Sequence, residues 1–139
     1  MEFVADEQFR VLVPDGTYEV QCVNYDKSFR LGSSRKLYLH FRIIDGEHSG
    51  KELFQAFNMP SDGRVSAGSK YYKTWCMVNG WNKPSRNAKL SPKIFKDKIF
   101  KIRTRTVKPQ HNGKAMPKQF WYSVVDEITE VCTGEIYPY

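Results

Sequence analysis

The stretch "LYLHFRI" (37–43) is the sequence feature that most constrains the fold. Its apolar and polar residues alternate without a break, with Leu37, Leu39, Phe41 and Ile43 set against Tyr38, His40 and Arg42. Successive side chains of a β-strand point to opposite faces, so this pattern predicts a half-buried strand. We expect the four apolar side chains to face the core and the other three to face outward.

Two further strands are predicted on either side of this one. Residues 17–25 alternate in the same way after the turn signal at 14–16, and residues 51–58 follow a hairpin connection at 45–50 that contains Asp45-Gly46 and Gly50. Residues 26–36 form a polar loop with Gly and Ser. Residues 1–13 are predicted as either a short edge strand or an N-terminal arm.

The hydrophobic period then changes to that of a helix. Residues 69–81 place Tyr72, Trp75, Cys76 and Val78 near one face, and Asn79-Gly80 is a stop signal. Strands are predicted again at 98–107 and 120–128, joined by a long loop at 108–119. Residues 129–139 are a short C-terminal tail, and the whole chain, 1–139, is predicted as a single domain.

The predicted order is strand, strand, strand, helix, strand, strand. This order is typical of the OB-fold, an all-β five-stranded Greek-key barrel that carries one helix. OB-folds bind oligonucleotides across their second and third strands, and two loops flank that face. In this chain those loops are 26–36 and 108–119. A small mixed α+β sandwich is the alternative fold.

The charge is concentrated in the second half of the chain. The net charge is +7, yet residues 1–62 hold seven Lys and Arg against ten Asp and Glu. Residues 83–118 hold twelve basic residues and a single acid, Asp97. Such a block sets up a positive field suited to a polyanion, whereas a solvated basic surface is the plainer interpretation. We favour nucleic acid because aromatic residues are interleaved with the cations.

Single-strand binders combine a positive groove with aromatic side chains on which bases stack. The alternation at 98–107 places Lys101, Arg103 and Arg105 outward and therefore Phe100 and Ile102 in the core. The predicted nucleic-acid-binding residues are the following cations and aromatics: Arg35, Lys36, Tyr38, Arg42, Phe54, Trp81, Lys83, Arg86, Lys101, Arg103, Arg105, Lys108, Lys114, Lys118 and Trp121.

Each aromatic residue also has a structural interpretation, because aromatics in strands often fill the core. Phe120 with Tyr122 and Trp121 fall on opposite sides of one strand, so they cannot all receive bases. Trp81, in a basic loop, is either a stacking platform or a core plug. Trp75 is expected to pack the helix on the barrel, and His40 is expected to be an outward strand residue rather than a ligand.

Enzyme classes find little support in the sequence. The cysteines and histidines lack the spacing of a metal site, and no phosphate-binding loop or nucleophile elbow is present. We therefore expect no catalysis, no metal and no cofactor. No apolar run approaches the ~20 residues that span a bilayer, and the acidic N-terminus is unlike a signal peptide. Three dispersed cysteines favour reduced thiols in a cytoplasmic protein.

The segments "PDGTYEV" and "LYLHFRIIDGEHSGKELFQAFNMP" resemble phage- and mobile-element-encoded single-stranded-DNA-binding proteins. The resemblance is carried by these residues: Gly16, Tyr18, Phe41, Gly46, Gly50, Lys51, Leu53 and Phe54. It implies an OB-fold that binds single-stranded DNA. Bacterial proteins of this function end in an acidic tail that recruits partners, whereas this chain ends in "TGEIYPY", so we do not expect that recruitment.

We therefore expect a protein that binds single-stranded DNA with little sequence preference and supports replication or recombination of a mobile element. Two alternatives stay open, a scaffold domain that docks an acidic partner and an RNA-binding OB-fold. The sequence is compatible with a homo-oligomer and leaves the oligomeric state open.

Overall fold

The computed structural model describes residues 11–29, 35–60 and 62–132 of the chain. Within them three strands come first, as the sequence pattern predicts, and one α-helix and further strands follow. The strands are β1 (Thr17–Phe29), β2 (Arg35–Ile43), β3 (Glu52–Met59), β4 (Ile99–Val107), β5 (Gln110–His111), β6 (Lys114–Ala115) and β7 (Tyr122–Val131), and the helix α1 is Lys70–Val78. Two short 3-10 turns, Pro92–Ile94 and Lys118–Phe120, precede β4 and β7.

Five strands form one antiparallel sheet in the order β3-β2-β1-β4-β7. The long central strand β1 pairs with β2 on one side and with β4 on the other. Strands β5 and β6 form a separate two-stranded hairpin. Its turn residues Asn112 and Gly113 have φ of 52° and 79°, the left-handed geometry that two-residue hairpins prefer.

The predicted closed barrel is wrong, because no hydrogen-bonded ladder joins the described residues of β3 and β7. Instead, the segment 11–13 lies along the start of β7. The Ser123 amide donates to the Val11 carbonyl at 2.7 Å, and the Val13 amide donates to the Ser123 hydroxyl at 2.9 Å. Residues 11–13 therefore form hydrogen bonds with the amide and the hydroxyl of Ser123 at the start of β7. Residues 1–10 of the predicted arm lie outside the described part.

The strand order also differs from the prediction, since the hairpin β5–β6 falls where a loop was expected. Two-residue strands are too short to show alternation, so the sequence pattern could not reveal them. At β1 the prediction ended too early, because a bulge between Cys22 and Asn24 shifts the register against β2. The strand continues into the predicted loop 26–36. The last strand begins and ends later than the predicted 120–128.

The core lies on one face of the sheet and is closed by α1. Val20, Leu39 and Phe41 are fully buried, as the alternation of β1 and β2 predicts. The helix is anchored by Tyr71, whose ring centroid lies 5.4 Å from that of Phe57. The predicted buried face included Tyr72 instead, one residue along the helix.

The helix ends are defined by local chemistry. Ser69 caps the N-terminus by accepting a hydrogen bond from the Tyr72 amide at 3.1 Å. At the C-terminus Gly80 has a φ of 73°, so the predicted stop at Asn79-Gly80 is confirmed. No helix in the described part of the chain is long and apolar enough to cross a membrane.

Candidate nucleic-acid interface

The cations of β4 point away from the core, as predicted. Lys101, Arg103 and Arg105 are exposed, whereas Phe100 and Ile102, which alternate with them, are fully buried. The alternation along β4 therefore holds across the whole central part of the strand. This confirms the side assignment that the sequence made from charge alone.

These same cations face carboxylates on the neighbouring strand β7. Arg103 forms ion pairs with Asp126 and Glu127, Arg105 lies 3.2 Å from Asp126, and Lys101 lies 3.6 Å from Glu130. The antiparallel register places Glu130 opposite Lys101 and Glu127 opposite Arg103. A phosphate on this face would have to compete with three acids, so the β4 row is a compensated surface rather than an open cationic groove.

Three rings form a continuous row across β2, β3 and β7, which we call the aromatic row: Tyr38, Phe54 and Tyr122. The centroids of Tyr38 and Phe54 lie 5.7 Å apart in an edge-on arrangement. Those of Phe54 and Tyr122 lie 6.3 Å apart with planes only 23° from parallel. All three side chains are half-buried, so each ring keeps part of its surface accessible.

The sheet register explains why the first two rings, Tyr38 and Phe54, meet. Tyr38 lies opposite Ala56 and Phe54 lies opposite His40, so both rings are on the sheet face that turns away from the core. Lys36 and Arg42 project from the same side of β2, because residues two apart share a face. Arg42 is bound to Glu52 at 3.0 Å, across the pair of strands.

Two expectations about this face need correction. His40 lies on it as predicted but is only 6% exposed, and its Nε2 atom is 2.7 Å from the Asp26 carboxylate. Tyr122 was not selected from the sequence. Ser123, Val124 and Val125 are all buried, so alternation does not hold at the start of β7 and could not assign its side.

Trp121 stabilises the hairpin connection between β4 and β7. Its indole N–H donates to the Met116 carbonyl at 2.9 Å, and the Lys108 ammonium lies 4.5 Å from the ring centroid. One ring face is thus engaged by a cation–π contact. Lys114 on β6 and Lys118 in the following 3-10 turn are exposed on this same connection.

A cleft of about 900 Å³ opens where the ends of β1, β2 and β3 meet α1 and the loop 82–91. We call it the basic cleft, because it is lined by six cations: Lys27, Arg35, Lys36, Arg64, Arg86 and Lys89. No Asp or Glu is among the described residues that line it. Its floor is apolar and includes Leu37 and Leu90.

The tyrosine at the base of the basic cleft is a structural element. The Tyr71 hydroxyl donates to the Leu90 carbonyl at 2.7 Å, which ties the loop 82–91 to α1. Burial raises the pKa of this hydroxyl above its ordinary value. This hydrogen bond fixes the loop 82–91, which carries Arg86 and Lys89, to α1.

Trp81 lies on the surface, so the core-plug interpretation is wrong. Its side chain is 71% exposed, directly after the end of α1. The Trp81 amide donates to the Cys76 carbonyl at 2.8 Å and the Gly80 amide to the Met77 carbonyl at 3.2 Å, which is the Schellman pattern. Trp81 itself has a φ of 63°, an unusual backbone conformation for a bulky residue.

The predicted residues thus separate into distinct groups. Tyr38 and Phe54 belong to the aromatic row, and Arg35, Lys36 and Arg86 belong to the basic cleft. Lys83 is exposed next to the basic cleft in sequence but is not among its described lining.

Three lining cations were missed, namely Lys27, Arg64 and Lys89. Lys89 falls in the basic segment 83–118, and Lys27 falls in the predicted polar loop 26–36. Arg64 has no other cation within five residues in the sequence, so the charge pattern did not single it out.

Comparisons with known proteins do not assign the chain: no protein-family model matches it, and no curated protein is significantly similar to it. In residues 11–29, 35–60 and 62–132, no three His, Cys, Asp or Glu side chains lie together as metal ligands would.

Proposed function

We propose that this protein binds single-stranded DNA, with little sequence preference and without catalysis. The observation that carries the proposal is the aromatic row, three partly accessible rings side by side on the outer face of an open β-sheet. Bases of any identity present a flat π-surface, so stacking on such rings is tolerant of sequence and contributes about 1–3 kcal/mol for each base.

The cations around the row support the same function. Lys36 lies on the same face as Tyr38, and Lys108 lies against Trp121 beside Tyr122. Phosphates of a strand whose bases stack on the row would pass close to these ammonium groups. The β4 cations contribute less, because Asp126, Glu127 and Glu130 compensate them.

The fold is compatible with this proposal. We propose that the five-stranded sheet is a partly open variant of the OB-fold, whose ligand face is formed by the second and third strands. The aromatic row begins on those two strands, β2 and β3. The resemblance of the first half of the chain to phage and mobile-element proteins suggests a role in replication or recombination.

Binding of oligo(dT) measured by fluorescence anisotropy over a range of salt concentrations tests the proposal. Affinity should fall with salt, with a log–log slope of roughly −0.7 for each phosphate contacted. Tyr38→Ala should weaken the binding free energy of oligo(dT) by about 1–3 kcal/mol while the protein stays folded. Lys73→Ala, an exposed change on α1, is the matched control.

Parallel titrations with duplex DNA and oligo(U) separate the alternatives. Tighter binding of duplex than of oligo(dT) would contradict a stacking mechanism, since paired bases cannot reach the rings. Tighter binding of oligo(U) would indicate an RNA-binding domain. Absence of oligo(dT) binding at low salt would refute the proposed function.

A further inference from the structure

The basic cleft differs from the β4 row in one decisive respect. Every β4 cation has a carboxylate partner on β7, whereas Lys27, Lys36, Arg64, Arg86 and Lys89 form no ion pair with any described residue. Cations that line a concave surface with an apolar floor focus their field into the cleft. Positive charge without a carboxylate partner among the described residues therefore lines this cleft, whereas each cation of β4 has such a partner.

The basic cleft and the aromatic row adjoin each other. Lys36 lines the cleft, and it also lies two residues before Tyr38 on the same face of β2. Leu37, between them, points to the opposite face of β2 and is part of the apolar floor of the cleft. A single strand that leaves Tyr38 toward the start of β2 thus meets Lys36 first and passes around the end of β2 to the remaining cations.

We propose that the basic cleft binds the sugar–phosphate backbone of a single strand whose neighbouring bases stack on the aromatic row. The inference rests on the proposed function and adds a second binding region to it, outside the β2–β3 face. Phosphates pair with cations contributed by three separate parts of the chain, namely the ends of β1 and β2, the segment after β3 and the loop 82–91. Sugars lie against the apolar floor.

A nucleic acid fits the cleft better than an acidic peptide for a geometric reason. Lys36 borders both the cleft and the aromatic row, and a polynucleotide carries both regularly spaced anions and flat rings. An acidic peptide would use the cations but would have no need for the row. Loss of the Tyr38 ring should therefore weaken binding of a nucleic acid but not of an acidic peptide, so Tyr38→Ala distinguishes the two ligands.

The experiment compares labelled oligo(dT) of about 6 and about 20 nucleotides, since one OB-type domain contacts roughly 4–16 nucleotides. The cleft variant is Arg64→Ala with Arg86→Ala, and the control is Lys73→Ala with Lys96→Ala, which removes the same charge from exposed positions outside the cleft. Circular dichroism and thermal melting establish that each is folded. If the cleft variant melts early, Arg86→Gln with Lys89→Gln replaces it.

We expect the cleft variant to bind the long oligonucleotide about fivefold more weakly and the short one as tightly as the unchanged protein. Its log–log salt slope should be smaller in magnitude by about 1.4, the value for two lost phosphate contacts. The control should keep the length dependence intact. Tyr38→Ala should weaken binding of both lengths.

Three results would overturn the inference, and they are distinguishable. Equal effects of the cleft and control variants, or none, would exclude the cleft while leaving binding at the aromatic row in place. Binding of poly-glutamate that depends on Arg64 and Arg86, with oligo(dT) unaffected, would assign the cleft to an acidic protein partner. Failure of the unchanged protein to bind either oligonucleotide would refute the proposed function itself.

Discussion

At the scale of single residues, Gln55 departs most clearly from the ordinary rules of a protein core. It lies on β3 between Leu53 and Phe57, is 2% exposed, and neither its amide nitrogen nor its oxygen has a hydrogen-bond partner in the described structure. A buried amide without partners costs about 1–3 kcal/mol. The position follows strictly from alternation, so the register of β3 forces this polar group inward.

We expect Gln55→Leu to raise the free energy of unfolding by about 1–3 kcal/mol, because it removes the unsatisfied amide at nearly constant volume. Urea denaturation of both proteins measures the difference. Gln55→Ala, which removes the amide but leaves a cavity, is the comparison. Lower stability of the Leu variant would mean that the amide has a partner or that the site is too tight.

Trp81 shows a different conflict, between backbone geometry and side-chain size. A non-glycine residue in the left-handed region costs roughly 1–2 kcal/mol. We therefore expect Trp81→Gly to stabilise the protein by up to about 1 kcal/mol, after the greater entropy of an unfolded glycine is subtracted. Thermal melting tests this, with Trp81→Phe as a control that should show no gain. A destabilised Gly variant would show that the indole packs on the fold.

At the scale of elements, the pairing of β4 with β7 decides how much of the positive charge of β4 is available to bind phosphates. Asp126→Asn with Glu127→Gln should release Arg103 and Arg105 and increase the affinity for oligo(dT) at low salt. The salt slope should steepen by up to about 1.4 if both arginines reach phosphates. Each exposed ion pair contributes only about 0.2–1 kcal/mol, so stability should change little.

The control for that experiment is Asp45→Asn with Glu47→Gln, which alters the net charge equally at exposed sites outside β4, β7 and the basic cleft. A similar increase in affinity for both variants would attribute the gain to net charge alone. No increase for either would show that the β4 face does not meet the ligand.

The elements also show what sequence patterns can and cannot predict. Alternation correctly separated buried from exposed residues in the central part of β4, and in β2 it failed only at His40, which is buried although it lies on the outer face. It failed at β7, where three consecutive residues are buried, and at the bulge of β1. The carboxylate partners of the β4 cations could not be predicted for another reason. The register of β4 against β7 is set by packing between distant segments of the chain.

At the scale of the whole molecule, stability should decline in alkaline solution. Burial raises the pKa of the Cys22 thiol from its ordinary 9.0 to about 12, and burial likewise raises that of Tyr71. Both groups stay protonated in the folded protein at a pH where the unfolded chain has already released the proton. The stability they contribute is therefore complete below about pH 9 and is lost as the pH rises toward 12.

Above pH 9 the Cys22 thiol should lower the free energy of unfolding by about 1.4 kcal/mol for each pH unit. Urea denaturation at pH 8, 9 and 10 compares the protein with Cys22→Ala, in which this part of the dependence should vanish. Equal slopes for the two proteins would show that the thiol titrates normally in the folded state.

The candidate site also illustrates the limit of reading a whole molecule from its chain. The sequence located the basic half and the strand carrying Tyr38, because charge and alternation are local properties. It did not locate the basic cleft, whose lining comes from three segments that only folding brings together. Nor did it anticipate the open sheet or the hydrogen bonds of residues 11–13 to Ser123.

The position of β1 in the middle of the sheet has a consequence for how the protein folds. Strands β1, β2 and β3 are consecutive in the chain, and so are β4 and β7 apart from their connecting hairpin, but β1 and β4 are separated by β2, β3 and α1. The β1–β2–β3 group and the β4–β7 pair can each assemble early, whereas pairing of β1 with β4 requires closure of a long loop. We expect amides shared by β1 and β4 to gain protection last in refolding followed by pulsed hydrogen exchange, and simultaneous protection of all strands would contradict this order.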